Sequence, residues 1–178
     1  MPTTNNVTRL LDQRKISYQA FDLPVEKLGA RATARLLDVS PEIVYKSIVA
    51  VRPTPGAKPV LAVIPGNHHL EIKSLAAFLG EKKMQVPTQR EAETLTGLLA
   101  GGISPLALIN KGFTILIDKA AERHLEIHIS GGQRGLNLRL SVKDLIRLTG
   151  ARLASISIQS DDDSEEERDF DVSATALP

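Results

Sequence analysis

The chain contains no cysteine. That one absence excludes disulfides, thiolate metal ligands and a cysteine nucleophile, and it is compatible with a reducing compartment. Tryptophan is also missing and aromatic residues make up only 3% of the sequence, so a core must be built from Leu, Ile, Val and Ala. No apolar run approaches the ~20 residues that a membrane helix requires. The N-terminal stretch MPTTNNVTRLLDQRKIS is polar and lacks the apolar segment of a secretory signal. These absences set the expectation of a soluble, cytoplasmic protein with no membrane role.

What is present is enough for one ordinary domain: 178 residues, 42% of them apolar. The formal net charge of +1 conceals an asymmetry. Residues 161–171, DDDSEEERDFD, hold eight acids and one arginine, which leaves 21 basic and 13 acidic residues elsewhere, a body of about +8. A basic body points modestly to a polyanionic partner. The periodic pattern ends near Gln159, so residues 1–159 read as the folded domain and 160–178 as an acidic, disordered tail.

Hydrophobic spacing predicts a short helix over 4–14, a strand over 16–23 and a helix over 29–40 with Ala32, Leu36 and Leu37 inward, stopped before Pro41. The strands 44–51 and 60–65, joined by the Pro- and Gly-rich RPTPGAKP, form a hairpin. A helix ending at Gly80, a short strand KKMQVP and a helix opened by the capping box Thr88–Glu91 follow. The stretch TGLLAGGISPLALIN reads as loop with a strand-like centre. Strands FTILID, EIHIS and LNLRL, a helix over 141–150 and a last strand in ARLASISI complete the pattern. Only five residues separate EIHIS from LNLRL, too few for a parallel crossover, so the sheet is mixed or largely antiparallel and the fold is not of the Rossmann type.

Three features carry chemistry. Lys46 lies inside the apolar strand VYKSIVAV, where an ammonium is costly to bury. Either its stem packs while the head reaches water, or it is a cation aimed into a cleft to hold a phosphate or carboxylate or to stabilise developing negative charge. In LLAGGISPLAL, Gly101 and Gly102 mark a sharp turn or a close approach of backbone, and Pro105 holds Ser104 extended. Amides beside these glycines could cradle an oxyanion. In HISGGQRGLNLRL, Ser130, Gly131, Gly132 and Gly135 form either a hairpin loop or a second pocket wall, with Arg134 available to phosphate. His68 with His69, and His124 with His128, lack a third partner at metal-ligand spacing, and there is no G-x-S-x-G elbow or Walker loop. The residues alone describe a small basic α/β domain with two Gly–Ser loops that could converge; they do not specify a reaction.

Taken together, VYKSIVAV, TGLLAGGISPLAL, TILID and ISGGQRGLNLRLSVKDLIRLTGA, in this order and at these intervals, closely resemble the YbaK family. These are aminoacyl-tRNA deacylases related to the editing domain of prolyl-tRNA synthetase. The likeness runs from about Val7 to Ile156. It implies a single domain with a mixed, partly barrel-like sheet flanked by helices. It implies trans-acting hydrolysis of mischarged aminoacyl-tRNA, with Cys-tRNA(Pro) as the substrate and prolyl-tRNA synthetase as the suggested partner protein. By motif, Lys46 is the catalytic pocket lysine that meets the tRNA 3′ end, with Ser47 beside it. Gly101, Gly102, Ile103, Ser104 and Pro105 are the loop around the aminoacyl group, Ser130 and Gly131 the opposite wall, and Asp118 orients the pocket. The resemblance implies neither cofactor nor metal, because the substrate's thiol attacks its own ester. The stretch FDLPVEKLGARATARLL lacks the Tyr or His that family members often carry, which leaves alanine or another small residue open as the cleared amino acid. A non-catalytic tRNA- or synthetase-binding module, or a protein binding a small nucleotide or phosphate, are the other classes that fit the residues.

Overall fold

The computed structural model describes residues 3–160. Among them are five α-helices, α1 (Asn6–Gln13), α2 (Ala30–Leu37), α3 (Ile72–Leu79), α4 (Gln89–Thr96) and α5 (Val142–Thr149). Strands β1 (Tyr18–Asp22), β2 (Tyr45–Ala50), β3 (Val60–Pro65), β4 (His68–Leu70) and β5 (Thr114–Asp118) alternate with them. Strands β6 (Glu126–Ser130), β7 (Leu136–Ser141), β8 (Arg152–Ala154) and β9 (Ser157–Gln159) complete the chain. The tail expected over 160–178 lies, beyond Ser160, outside the described residues.

Helix ends are set locally. Asn5 and Thr8 close a capping box at α1, and Thr88 and Glu91 close another at α4, each satisfying amides that a helix start leaves orphaned. Gly80, Gly97 and Gly150 stop α3, α4 and α5 in the left-handed region, at φ +69°, +70° and +66°.

The expected hairpin exists: β2 and β3 pair antiparallel, with Lys46 opposite Ile64. The sheet is mixed, in the order β2-β3-β5-β8, because β5 runs parallel to β3 and β8 parallel to β5. A second, antiparallel sheet has the order β1-β7-β6, and β4 pairs with β9 in a small third one. These are separate sheets, and none closes into a barrel among the described residues.

Strand β3 is buried along its whole length, and its side chains serve two cores. Leu61 and Val63 join Val49, Ile115 and Ile117 against Ile129, Leu138 and Leu140 of the second sheet, with α1 and α5 closing the ends. Val60, Ala62 and Ile64 join Ile48, Ala50 and Leu116 against Leu75 and Ala76 of α3. The aliphatic core is therefore one sheet packed between a sheet and a helix.

Four local expectations change. Helix α2 turns Ala30, Thr33 and Ala34 inward, while Leu36 is 53% exposed, because its small-residue face seats against Val44. KKMQVP contributes only a single bridge, between Gln85 and Val51, since Pro87 has no amide to extend a ladder. The centre of TGLLAGGISPLALIN is a 3₁₀ turn, Pro105–Leu108, capped by Ser104. ARLASISI splits into β8 and β9 because the Ile156 amide leaves the ladder to donate to Asp118 Oδ2 at 3.1 Å.

Leu116 is fully buried in the central sheet. Leu116→Ala should lower the unfolding free energy by about 2–5 kcal/mol, read from the shift of the urea midpoint at constant m-value.

Candidate functional site

A cleft of about 370 Å³ opens where the outer edge of β2 meets the β1-β7-β6 sheet and α2. Its size falls in the usual range of small-ligand sites. Lys46, Ser47, Gly101, Ile103 and Ser130 all line it, so the three motifs singled out in the sequence converge on one space. The remaining lining comes mainly from Leu23 to Thr33 and from Gly135 to Asn137, the two stretches joined by the Leu23 amide donating to Gly135 O at 2.8 Å.

The position of Lys46 follows from strand alternation. Tyr45 and Val49 face one core, while Ile48 and Ala50 face the other. Lys46 stands on the Ile48 side, but at the start of an edge strand, where the apolar packing gives way to the cleft. It is half-buried there. The strand can stay apolar because its lysine sits at the one end that meets solvent.

The two glycine loops are locked to each other. A Cβ on Gly102 would lie 2.8 Å from Gln133 Cα and 3.0 Å from the Arg134 amide nitrogen, so only glycine lets the two backbones approach this closely. Gly101 adopts φ +89°, and its Cα side lies against Lys27. Arg134 Nε donates to Ala100 O at 2.7 Å, and the Ser130 hydroxyl donates a longer bond to Gly101 O at 3.4 Å. Asn5 Nδ2 donates to Gly131 O at 2.8 Å and ties the second loop to the start of α1.

Several expected site residues stand behind the lining. Gly102 forms the contact between the loops, and Gly131 packs directly on Leu136. Ser104 is fully buried and accepts from the Leu106 amide, with Pro105 buried at the first position of the turn. Arg134 spends its guanidinium on the Ala100 carbonyl. Asp118 is 5% exposed and joins three segments: it accepts from the Ala120 amide, the Ile156 amide and the Ser157 hydroxyl, the last at 2.8 Å. His68 Nδ1 meets the same Ser157 hydroxyl at 2.7 Å, so a hydrogen-bonded chain links His68 to Asp118.

Periodicity did not single out the wall from Leu23 to Thr33, which only the likeness to the family marked, nor the residues Tyr45 and Asn137. The signal for the first was a stretch without periodicity between a strand and a helix, LPVEKLG. Asn137 was concealed as the polar position of an alternating strand. It is buried, lines the cleft, and its Oδ1 lies 2.8 Å from His128 Nδ1. Burial holds His128 below the ordinary histidine range, and burial likewise lowers His68, with Lys46 adding to the effect. Burial and then the charge of Asp118 raise the Tyr45 phenol, which therefore stays neutral. Among the described residues no group of three or more His, Asp or Glu comes together as a metal site.

This arrangement is an α/β domain with two lysines, a glutamate, hydroxyls and backbone lining a cleft of small-ligand size. The same fold occurs in the crystal structure of hypothetical protein APE2540, with a TM-score of 0.77 and 23% identity over 86% of this chain and 100% of that one. It occurs again in a structure provisionally assigned as a trans-editing enzyme for prolyl-tRNA synthetase, with a TM-score of 0.71 and 22% identity over 88% and 99% of the two chains. An Enterococcus faecalis protein provisionally named Cys-tRNA(Pro)/Cys-tRNA(Cys) deacylase EbsC is 31% identical over 154 residues, 85% of this chain and 92% of that protein. Residues 26–148 match the aminoacyl-tRNA editing domain family, and the chain belongs to that family. Its activity is the hydrolysis of mischarged aminoacyl-tRNA. No helix among the described residues is long and apolar enough to cross a membrane.

Because the folded His128 titrates below its unfolded value near 6.5, protonation favours the unfolded chain. Its contribution is present above pH 6.5 and is lost as the pH falls from there through the folded pKa. Melting temperature should therefore drop on acidification below about pH 6.5, and His128→Gln should flatten part of that slope. An unchanged slope in the variant would assign the acid sensitivity to other groups.

Proposed function

We propose that the protein releases cysteine from mischarged Cys-tRNA(Pro) in trans, by holding the aminoacyl ester so that the substrate's own thiol attacks it. The observation that carries this reading is the make-up of the cleft. Lys46, Ser47, Gly101, Ile103 and Ser130 face one space, yet the described lining holds no nucleophile paired with a base. A site of this kind works by positioning and by electrostatics. The name of the E. faecalis relative supports the choice of cysteine and of proline tRNA.

In this reading Lys46 meets the anionic 3′ end of the tRNA, and the Gly101–Ile103 and Ser130 walls enclose the aminoacyl group. Gly102, Ser104, Pro105, Gly131 and Arg134 act at one remove, by fixing those walls, and Asp118 does so from the end of β5. The cysteine sulfur bonds to the ester carbon, the bond from that carbon to the ribose oxygen breaks, and the thiol proton ends on the released hydroxyl. Water then opens the cyclic thioester to free cysteine. Residues 1–159 form the deacylase domain, the working compartment is the cytoplasm, and prolyl-tRNA synthetase is the partner that would deliver the substrate.

Lys46→Ala should reduce kcat/KM on Cys-tRNA(Pro) by at least ~10²-fold, about 2.7 kcal/mol of transition-state stabilisation, with little change in melting temperature. Full activity in this variant would remove Lys46 from the site. A panel of mischarged tRNAs decides specificity: clearance of Ala-tRNA(Pro) with Cys-tRNA(Pro) left intact would overturn the choice of cysteine. Binding without release would mark a non-catalytic module.

A further inference from the structure

The described chain ends beside the cleft. Strand β9 is held on β4, and the Ser160 amide donates to Asn67 O at 2.8 Å, so backbone bonds fix the place of the last described residue. The Ser160 carbonyl accepts from the Arg31 guanidinium. Arg31 follows Ala30, a lining residue of the cleft, at the start of α2. Arg35 lies one helical turn further on the same face. Lys27 and Lys46 belong to the lining itself. Arg31 thus joins Ser160 to the helix that lines the cleft, and Lys27 and Lys46 stand in that lining together with one acid, Glu26.

The residues that follow are the most acidic in the sequence. Residues 161–171 carry eight carboxylates and one arginine, and the first three are aspartates. An extended chain covers ~3.3–3.6 Å per residue, so these three reach roughly 10 Å from the exit. The charges on the two sides are opposite, and the pairing of arginine with carboxylate is the strong, bidentate kind.

We propose that segment 161–171 is an internal competitor for the tRNA, docking its carboxylates on the basic rim formed by Lys27, Arg31, Arg35 and Lys46. The proposal rests on the deacylase reading only in naming what is displaced. A tethered segment acts at an effective concentration in the mM range, so even a weak contact is occupied in the absence of substrate. A polyanion with several phosphates displaces it, whereas a small anion does not. The segment therefore raises KM for tRNA and leaves kcat alone, and salt weakens its hold.

The test uses the full chain and a full-length variant in which the eight acids of 161–171 are replaced by their amides, from Asp161→Asn to Asp171→Asn. At low salt the variant should show a KM for mischarged tRNA about fivefold lower or more, with the same kcat, and the two proteins should converge as salt rises. A fluorescent peptide of sequence DDDSEEERDFD should bind the amide variant at low salt, by anisotropy. Arg31→Ala with Arg35→Ala added to that variant should weaken this binding about tenfold. Equal KM values at low salt in two active proteins, or peptide binding indifferent to Arg31 and Arg35, would overturn the proposal. If neither protein turns over mischarged tRNA, the deacylase reading fails by itself, and the peptide arm still decides whether the rim takes the acidic segment.

Discussion

The approach of two backbones at Gly102 and Gln133, too close for any side chain between them, is the constraint on which the cleft depends. One loop ends the segment after α4 and the other joins β6 to β7, which belong to the second sheet. Their contact fixes the relative positions of Ile103 and Ser130 in the lining of the cleft. Arg134, bonded to the Ala100 carbonyl, and Asn5, bonded to the Gly131 carbonyl, keep the pair from separating. A wall made of backbone costs little entropy to hold in place once its neighbours are packed, and its own amides are part of that packing: Gly102 donates to Leu99 O and Gly131 to Leu136 O, each at 2.8 Å. A site whose described lining pairs no nucleophile with a base depends on that rigidity more than one with a reactive residue does.

The sheets supply the other half of the geometry. β3 is buried on both faces and cannot carry a functional group without cost, so the chemistry moves to β2, the edge. Along β2 the alternation that buries Ile48 and Ala50 brings Lys46 to the same side one step earlier, where the core has ended. The placement of a cation in an apolar strand is thus a consequence of register and edge position. Asp118 does the comparable work at the far end of β5, where three bonds gather the chain after β8 and the 3₁₀ turn Lys119–Arg123 that follows β5. Its carboxylate is a fastening of the fold that also reaches His68 through Ser157.

Features written in one local pattern were legible in the sequence. The hairpin, the capping box at Thr88–Glu91 and the closing glycines Gly80 and Gly150 follow from adjacent residues, and they stand as expected. The convergence of Lys46, Gly101, Ile103 and Ser130 was legible only through likeness to a family, because nothing local states that segments 27 to 84 residues apart in the chain will meet. The misread elements share a cause. Leu36 looked like core by composition, but the face that α2 must bury is chosen by what lies under it, and only small residues fit against Val44. ARLASISI looked like one strand because no residue in it announces that Asp118, distant in sequence, will take the Ile156 amide. Asn137 escaped notice because a polar residue in a strand usually faces water, whereas here it is buried against His128.

The groups around Lys46 also bear on how it acts. Burial keeps the Tyr45 phenol protonated, and burial keeps His68 and His128 in their neutral forms at ordinary pH. His128 Nδ1 is engaged with Asn137, and His68 Nδ1 with Ser157, so both rings are committed to the protein and neither lines the cleft. A proton shuttle needs a partner within hydrogen-bond reach of the reacting atoms and a pKa matched to the working pH. Tyr45, His68 and His128 are instead each held in one form, which leaves none of the three to pass a proton. A fixed charge at the mouth of a small cleft attracts an anionic chain end and orients it, and orientation is what a substrate that carries its own nucleophile still lacks.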